Sequence, residues 1–298
     1  MGVIKRKGDI MATNKRIQII TDSTTSLSPE EIKERNFDYV ETTYMLDDKL
    51  FSAFENQEES LQDFYQKLDN IKSCSTGCVN VQTFEDCFDK YASSGVQVFY
   101  TGLSSSLSST FSNAEIASRN INEKYGKKMV AVVDSRSASY GTLVLLDFAE
   151  EMIKAGKSLD EIEIEIDKIA KNMSVAFVAR DLSFMYKCGR ISMLEAGLGK
   201  ILKIVPIIYV SESGKLKVGD KCIGRKLTLK TLKNKFVNFI NTKGHTKCYI
   251  TSCGLDEDVN ELKEYILQNT EIKEIKTGLI DKTLACCCGP KTIAIFCG

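Results

Sequence analysis

Residues 98–114 read VFYTGLSSSLSSTFSNA, and the ten positions from Thr101 to Thr110 carry seven hydroxyl side chains with no charge among them. Hydroxyls at that density can belong to a flexible linker, cap helices, supply a nucleophile or hold an anion through neutral donors. A serine nucleophile needs a base. The chain has one histidine, His245, in the loop TKGHTK, where it reads as a surface residue. GLSSS lacks the second glycine of a G-x-S-x-G elbow. GKS at 156–158 imitates the end of a Walker A motif, but Glu151 stands where its first glycine belongs, and no G-x-G-x-x-G follows a predicted strand. Asp22 and Asp134 open two hydroxyl-rich loops and could hold a metal, although cap and turn roles suit them equally. No C-x-x-C occurs among the eleven cysteines, and the run Cys286, Cys287, Cys288 stands apart as unusual. No metal site is expected. Many neutral donors without a base suit one small anion. A carboxylate fits better than a polyphosphate, which would call for Lys, Arg or Mg²⁺ ligands in the same loops.

Such a site needs elements to place it. Three times an apolar strand-like run passes through a Ser/Thr-rich loop into a segment of helical period. The first runs from Arg16–Ile20 through TDSTTSLSPE to a helix near Pro29, with Ser28 as its cap. The second runs from Val96–Tyr100 through TGLSSSLSS to a helix through Phe111, Ala114 and Ile116. The third runs from Met129–Val133 through DSRSAS to a helix through Leu143, Leu146 and Ile153. Alternating strands and helices predict a parallel α/β sheet whose ligand sites lie beyond the carboxyl ends of its strands, so all three loops should open on one edge.

Past residue 157 the texture changes. SLDEIEIEIDKIAKNM predicts one more helix, VAFVAR a strand, and SFMYKCGRISMLEAGLGKILK Gly-punctuated helices. KIVPIIYV and KLKVGDK predict strands around a turn at Ser211–Gly214, and further helices and strands follow to KTIAIFCG. This mixture predicts a second, α+β domain. The expected division is an extension over 1–15, an α/β domain over 16–170 and an α+β domain over 171–298.

Forty basic residues balance forty acidic ones in 298, which leaves no electrostatic footprint for nucleic acid or an anionic membrane. No apolar run approaches the roughly 18 residues of a membrane span, and MGVIKRKGDI is not followed by the apolar stretch of a signal peptide. An odd number of cysteines in a chain of this size predicts free thiols and a cytoplasmic setting.

Taken in order, TDSTTSLS, GLSSSLSSTFSNA, VVDSRSASYG, YKCGRIS, LKIVPII and IGRK resemble the DegV family of bacterial fatty-acid-binding proteins, from about residue 17 to the C-terminus. The resemblance implies a two-domain α/β fold, a Rossmann-like parallel-sheet domain and an α+β domain, with one long-chain fatty acid buried between them. Its carboxylate would be held by hydroxyls. No catalytic residues and no cofactor are implied, and the partner would be a separate fatty acid kinase to which some members present the acyl chain.

Matched motif by motif, TGCVN makes Thr76 a carboxylate-binding candidate. The paired serines of an S-S-G-L-S-G-T motif fall on Ser104 and Ser105, without a choice between them. The arginine of G-R-I-S is Arg190 and that of an R-G-R-K-like motif is Arg225, both suited to a phosphoryl group or the partner. Where the family has histidine in G-x-H-x-G-P, ACCCGP places Cys287, a weaker donor. Gly77 and Ser109 also depart from the pattern, as does VETTY at 40–44. The rival reading from another class is an acyl-transfer or hydrolytic enzyme with Ser105 or Cys287 as nucleophile.

Overall fold

The computed structural model describes residues 17–56, 58–192 and 204–298. The expected extension over 1–15 and most of the Gly-punctuated stretch, residues 193–203, lie outside them.

Four strands form a parallel sheet in the order β2 (Asp38–Val40), β1 (Ile17–Asp22), β6 (Gln97–Gly102), β7 (Val130–Asp134). β1, β6 and β7 are the apolar runs of the three predicted units, β2 being an addition, and their side chains alternate between two covered faces. Ile19, Phe99, Ala131 and Val133 turn toward the helices Tyr140–Lys154 and Leu159–Asn172. Ile20, Val98, Tyr100 and Val130 turn toward Val81–Ala92 and Thr110–Tyr125. The helix Pro29–Glu34 starts as expected: Ser28 Oγ accepts the Glu31 N–H and the Glu31 carboxylate accepts the Ser28 N–H, with proline in the first turn.

A small antiparallel sheet that the sequence reading had not separated follows, in the order β4 (Lys49–Ser52), β3 (Thr43–Leu46), β5 (Cys74–Gly77). Asp47 and Asp48, both at positive φ, make the two-residue turn between β3 and β4, the backbone twist that a tight hairpin needs.

The remaining strands make one mixed sheet: β10 (Leu216–Ile223), β9 (Ile204–Val210), β8 (Ser174–Val178), β13 (Ile293–Cys297), β11 (Cys248–Ser252), β12 (Ile275–Leu279). Only β11 and β12 pair in parallel; the other neighbours are antiparallel. On one face Ala176, Val178, Ile293 and Ile295 pack with Leu232 and Phe236 of the helix Arg225–Lys243 and Leu262 of the helix Asp256–Asn269. On the other, Val175, Tyr249, Ala294 and Phe296 join the core that also holds Val144, Leu146 and Ala149. The helix Tyr140–Lys154 is thus wedged between the two large sheets, which explains why its residues from Tyr140 to Asp147 are all buried.

His245 corrects the sequence reading. It is 6% exposed and shares a 2.9 Å hydrogen bond between its Nε2 and Ser174 Oγ at the start of β8. Burial, with the charge of Lys243 adding to it, pulls its pKa down to about 4.

Candidate functional site

A cavity lies between the parallel sheet and the mixed sheet, enclosing about 910 Å³ of atom-free space with its mouth included. The floor is apolar: Val175 and Phe177 of β8, Val210 of β9, Leu216 of β10, and Ala294 and Phe296 of β13. Because strand side chains alternate, the residues between these are the ones that build the opposite core.

The rim is made of hydroxyls. Thr42 lies just before β3, Thr76 on β5, Ser137 and Ser139 in the loop after β7, Thr251 on β11, and Thr283 on the helix Lys282–Cys288. The three hydroxyl loops do converge on one edge. Ser139 N–H donates to Thr24 O at 2.8 Å and Ser104 N–H to Ser137 O at 2.9 Å. Asp22 is fully buried and ties the first loop to the second: its carboxylate accepts the Thr24 N–H, the Tyr100 hydroxyl and the Leu103 N–H at 2.8–2.9 Å. A Cβ at Gly102 would run into that carboxylate and the Tyr100 hydroxyl, so glycine is required in TGL. Asp134 accepts Ser105 Oγ at 2.5 Å and the Ser105 and Arg136 N–H groups. Both aspartates therefore fill the cap and turn roles, and among the described residues no cluster suits a metal.

Behind the rim runs a chain of hydroxyls ending on a half-buried acid. Ser139 Oγ meets Thr251 Oγ1 at 3.2 Å and Ser26 Oγ at 2.7 Å, and Ser26 donates to Asp281 Oδ2 at 2.8 Å. Asp281 caps the helix Lys282–Cys288 by accepting the Leu284 N–H. Burial pushes its carboxyl up to about 6, against the opposing pull of the Leu284 and Ser26 hydrogen bonds. A second chain links Ser23, Thr42 and Thr283 at 2.8 and 3.1 Å. Ser139 sits at φ +53, a conformation costly for a residue with a Cβ, and the hydrogen bonds of its N–H, carbonyl and hydroxyl hold it there.

At one corner of the cavity Thr76, Cys287 and Arg190 come together. Thr76 Oγ1 lies 3.7 Å from Cys287 Sγ. Arg190 is the one charged side chain among the described residues that line the cavity; its Nε donates to Leu107 O at 3.0 Å and its Nη1 to Cys188 O. A hydrogen bond with Cys188, the Arg190 charge and Thr76 hold the Cys287 thiol below its ordinary range despite burial.

Three of the six residues carried over by motif therefore border the cavity: Thr76, Arg190 and Cys287. The structure does not bring the other three to its lining. Ser104 is fully buried and its Oγ accepts the Ser106 N–H at 3.2 Å, while Ser105 is exposed with its hydroxyl given to Asp134. From that loop it is Ser108 that reaches the lining. Arg225 pairs with Asp258, its Nε 2.8 Å from the carboxylate, away from the cavity. The sequence reading missed Thr42, Thr251 and Thr283, which are single hydroxyls on or beside strands and a helix. Their only signal is contact across the chain.

The parallel sheet, the mixed sheet and the cavity between them define an α/β protein with a largely apolar site. The chain belongs to the DegV family: that family's model, described as an uncharacterised protein family, matches residues 16–297. A DegV domain-containing protein of Clostridium perfringens is 30% identical over 282 residues, covering 95% of this chain and 97% of the relative. A DegV family protein from Thermus thermophilus, solved under a description of its fatty acid binding, superposes with a TM-score of 0.83 at 23% identity, covering 95% of this chain and 99% of that one. The fatty acid kinase B3 protein of Streptococcus pneumoniae, solved loaded with linoleic acid, gives 0.81 at 17% identity over 95% of this chain and 99% of its own.

Proposed function

We propose that the protein binds one long-chain fatty acid in the cavity between its two sheets. The observation that carries this reading is the polarity of the lining: an apolar floor on the mixed sheet, and a rim of hydroxyls with one guanidinium. The tail would lie over Val175, Phe177 and Phe296, and the carboxylate beside Thr76, Cys287 and Arg190, where neutral donors and one cation meet. Ser104 and Ser105 would act behind the lining by fixing the turn that carries Leu107 and Ser108. About 15 buried methylenes at about 0.8 kcal/mol each give roughly 12 kcal/mol before the costs of association, so the tail supplies most of the affinity and the rim the orientation.

The same reading assigns the halves of the chain, 16–170 and 171–298, to two domains that share the ligand. It also makes the protein a carrier that presents the acyl carboxylate to a separate kinase, a reading supported by its likeness to the fatty acid kinase B3 protein of Streptococcus pneumoniae. Eleven free thiols favour a reducing, cytoplasmic setting. Among the described residues no helix is long and apolar enough to cross a membrane.

Mass spectrometry of the organic extract from denatured protein is the direct test. One acyl chain per protein is expected. No acyl chain, and no uptake of added palmitate, would overturn the reading.

A further inference from the structure

Fatty acid binding gives no role to Cys74 and Cys188, which stand behind Cys287 at the cavity's polar corner. Cys74 on β5 and Cys188, just after the helix Ser183–Lys187, both donate to the carbonyl oxygen of Cys286, at 3.1 and 3.6 Å. Cys188 also lies near the thiols of Cys74 and Cys287, which push its own titration upward. Cys287 borders the cavity, whereas Cys74 is packed among Tyr44, Leu46 and Phe64. One buried thiol, held against the carbonyl of Cys286, therefore neighbours a second that lines the cavity one residue further on. The elements that carry them, Ser183–Lys187 and Lys282–Cys288, pack against each other, as a disulfide requires. With no metal cluster among the described residues, the chemistry open to the group is that of sulfur itself.

We propose that Cys287 and Cys188 form a reversible oxidation site for a small peroxide entering the cavity. The Cys287 thiolate attacks one peroxide oxygen; the O–O bond breaks, hydroxide leaves, and the sulfur becomes a sulfenic acid. The Cys188 sulfur then displaces the sulfenic oxygen, which leaves as water with the Cys188 proton, and the S–S bond forms. Peroxide is reduced and the two thiols are oxidised, and a dithiol reverses the reaction. The hydrogen bond from Cys188, the Arg190 charge and Thr76 favour the thiolate at the attacking position.

The disulfide would also tie the segment that bears Arg190, two residues beyond Cys188, to the helix that lines the cavity. Ligand exchange should slow in the oxidised state, a consequence that rests on the fatty-acid reading.

The test treats the full chain with a small molar excess of hydrogen peroxide, blocks the remaining thiols and maps linked peptides by mass spectrometry. A Cys188–Cys287 link, with two of the eleven free thiols lost and regained on adding dithiothreitol, is expected. Cys78→Ser, at an exposed thiol, should leave the link unchanged, and Cys188→Ser and Cys287→Ser should each abolish it. No link, or a link joining any other pair, overturns the site. Release of cis-parinaric acid from the oxidised protein should be slower by about tenfold or more. Equal release rates with the link present overturn the coupling. Failure to bind the probe in either state sinks the fatty-acid reading and the coupling with it, while the peptide map decides the oxidation site by itself.

Discussion

Replacing Asp281 with asparagine should stabilise the protein at neutral pH and leave it nearly unchanged in acid. Burial raises the folded-state carboxyl from 3.8 to about 6. A carboxyl whose pKa is raised on folding binds more protons folded than unfolded. Its contribution is fully present below the unfolded value and is lost as pH rises through the folded one. The window therefore runs from 3.8 to about 6. A difference of about 2 units at about 1.4 kcal/mol each makes the loss about 3 kcal/mol by neutral pH. Asparagine copies the protonated acid: its Oδ1 can accept the Leu284 N–H and its Nδ2 can donate to Ser26 Oγ, and it is a good helix cap. Urea denaturation of both proteins between about pH 4 and pH 7 gives the two stabilities. The variant should be the more stable by up to about 3 kcal/mol at the upper end, with the difference closing toward the lower. A difference independent of pH, or a variant less stable at neutral pH, would refute the claim that burial raises the pKa of this carboxyl.

Four further outcomes follow from the same geometry. His245, lowered from 6.5 to about 4 by burial and Lys243, contributes stability that is present above 6.5 and lost as pH falls toward 4. His245→Gln should remove an acid-side loss of about 3 kcal/mol in the same denaturation series, a slope opposite in sign to that of Asp281. Fatty acid affinity measured by calorimetry should rise about fourfold per added methylene until the floor is covered, because each buried methylene is worth about 0.8 kcal/mol; an affinity flat from laurate to palmitate would contradict an apolar seat for the tail. Arg190→Ala should weaken fatty acid binding by about 1.5–3 kcal/mol, the worth of a hydrogen bond to a charged group. Arg225→Ala should leave binding unchanged and cost at most about 1 kcal/mol of stability, since its pair with Asp258 is partly exposed.

The elements were legible where their causes are local. Ser28 with Pro29 marks a helix start from four residues of sequence, and the runs ending at Ile20, Tyr100 and Val133 announce strands that are buried on both faces. The convergence of the three hydroxyl loops was also legible, because parallel strands force the loops after them to one edge. The choice among hydroxyls was not. Ser104 and Ser108 are alike in a sequence, and only the turn closed by Asp22 and Ser137 sends one inward behind the loop and the other to the lining. His245 was misplaced for the same reason. Its neighbours in sequence are polar, while the residue that buries it, Ser174, lies 71 positions away. Arg225 matched its motif, yet its direction is set by Asp258 on another helix.

The alternation of β8 and β13 has a further consequence. Odd positions on β8 and even positions on β13 meet the cavity, and their immediate neighbours meet the helices behind the sheet. Tail length and shape can thus be retuned at Phe177 or Ala294 without touching Ala176 or Ile295. A library confined to the cavity-facing parity should yield folded proteins with altered acyl preference, whereas the same diversity shifted by one residue should mostly yield chains that fail to fold.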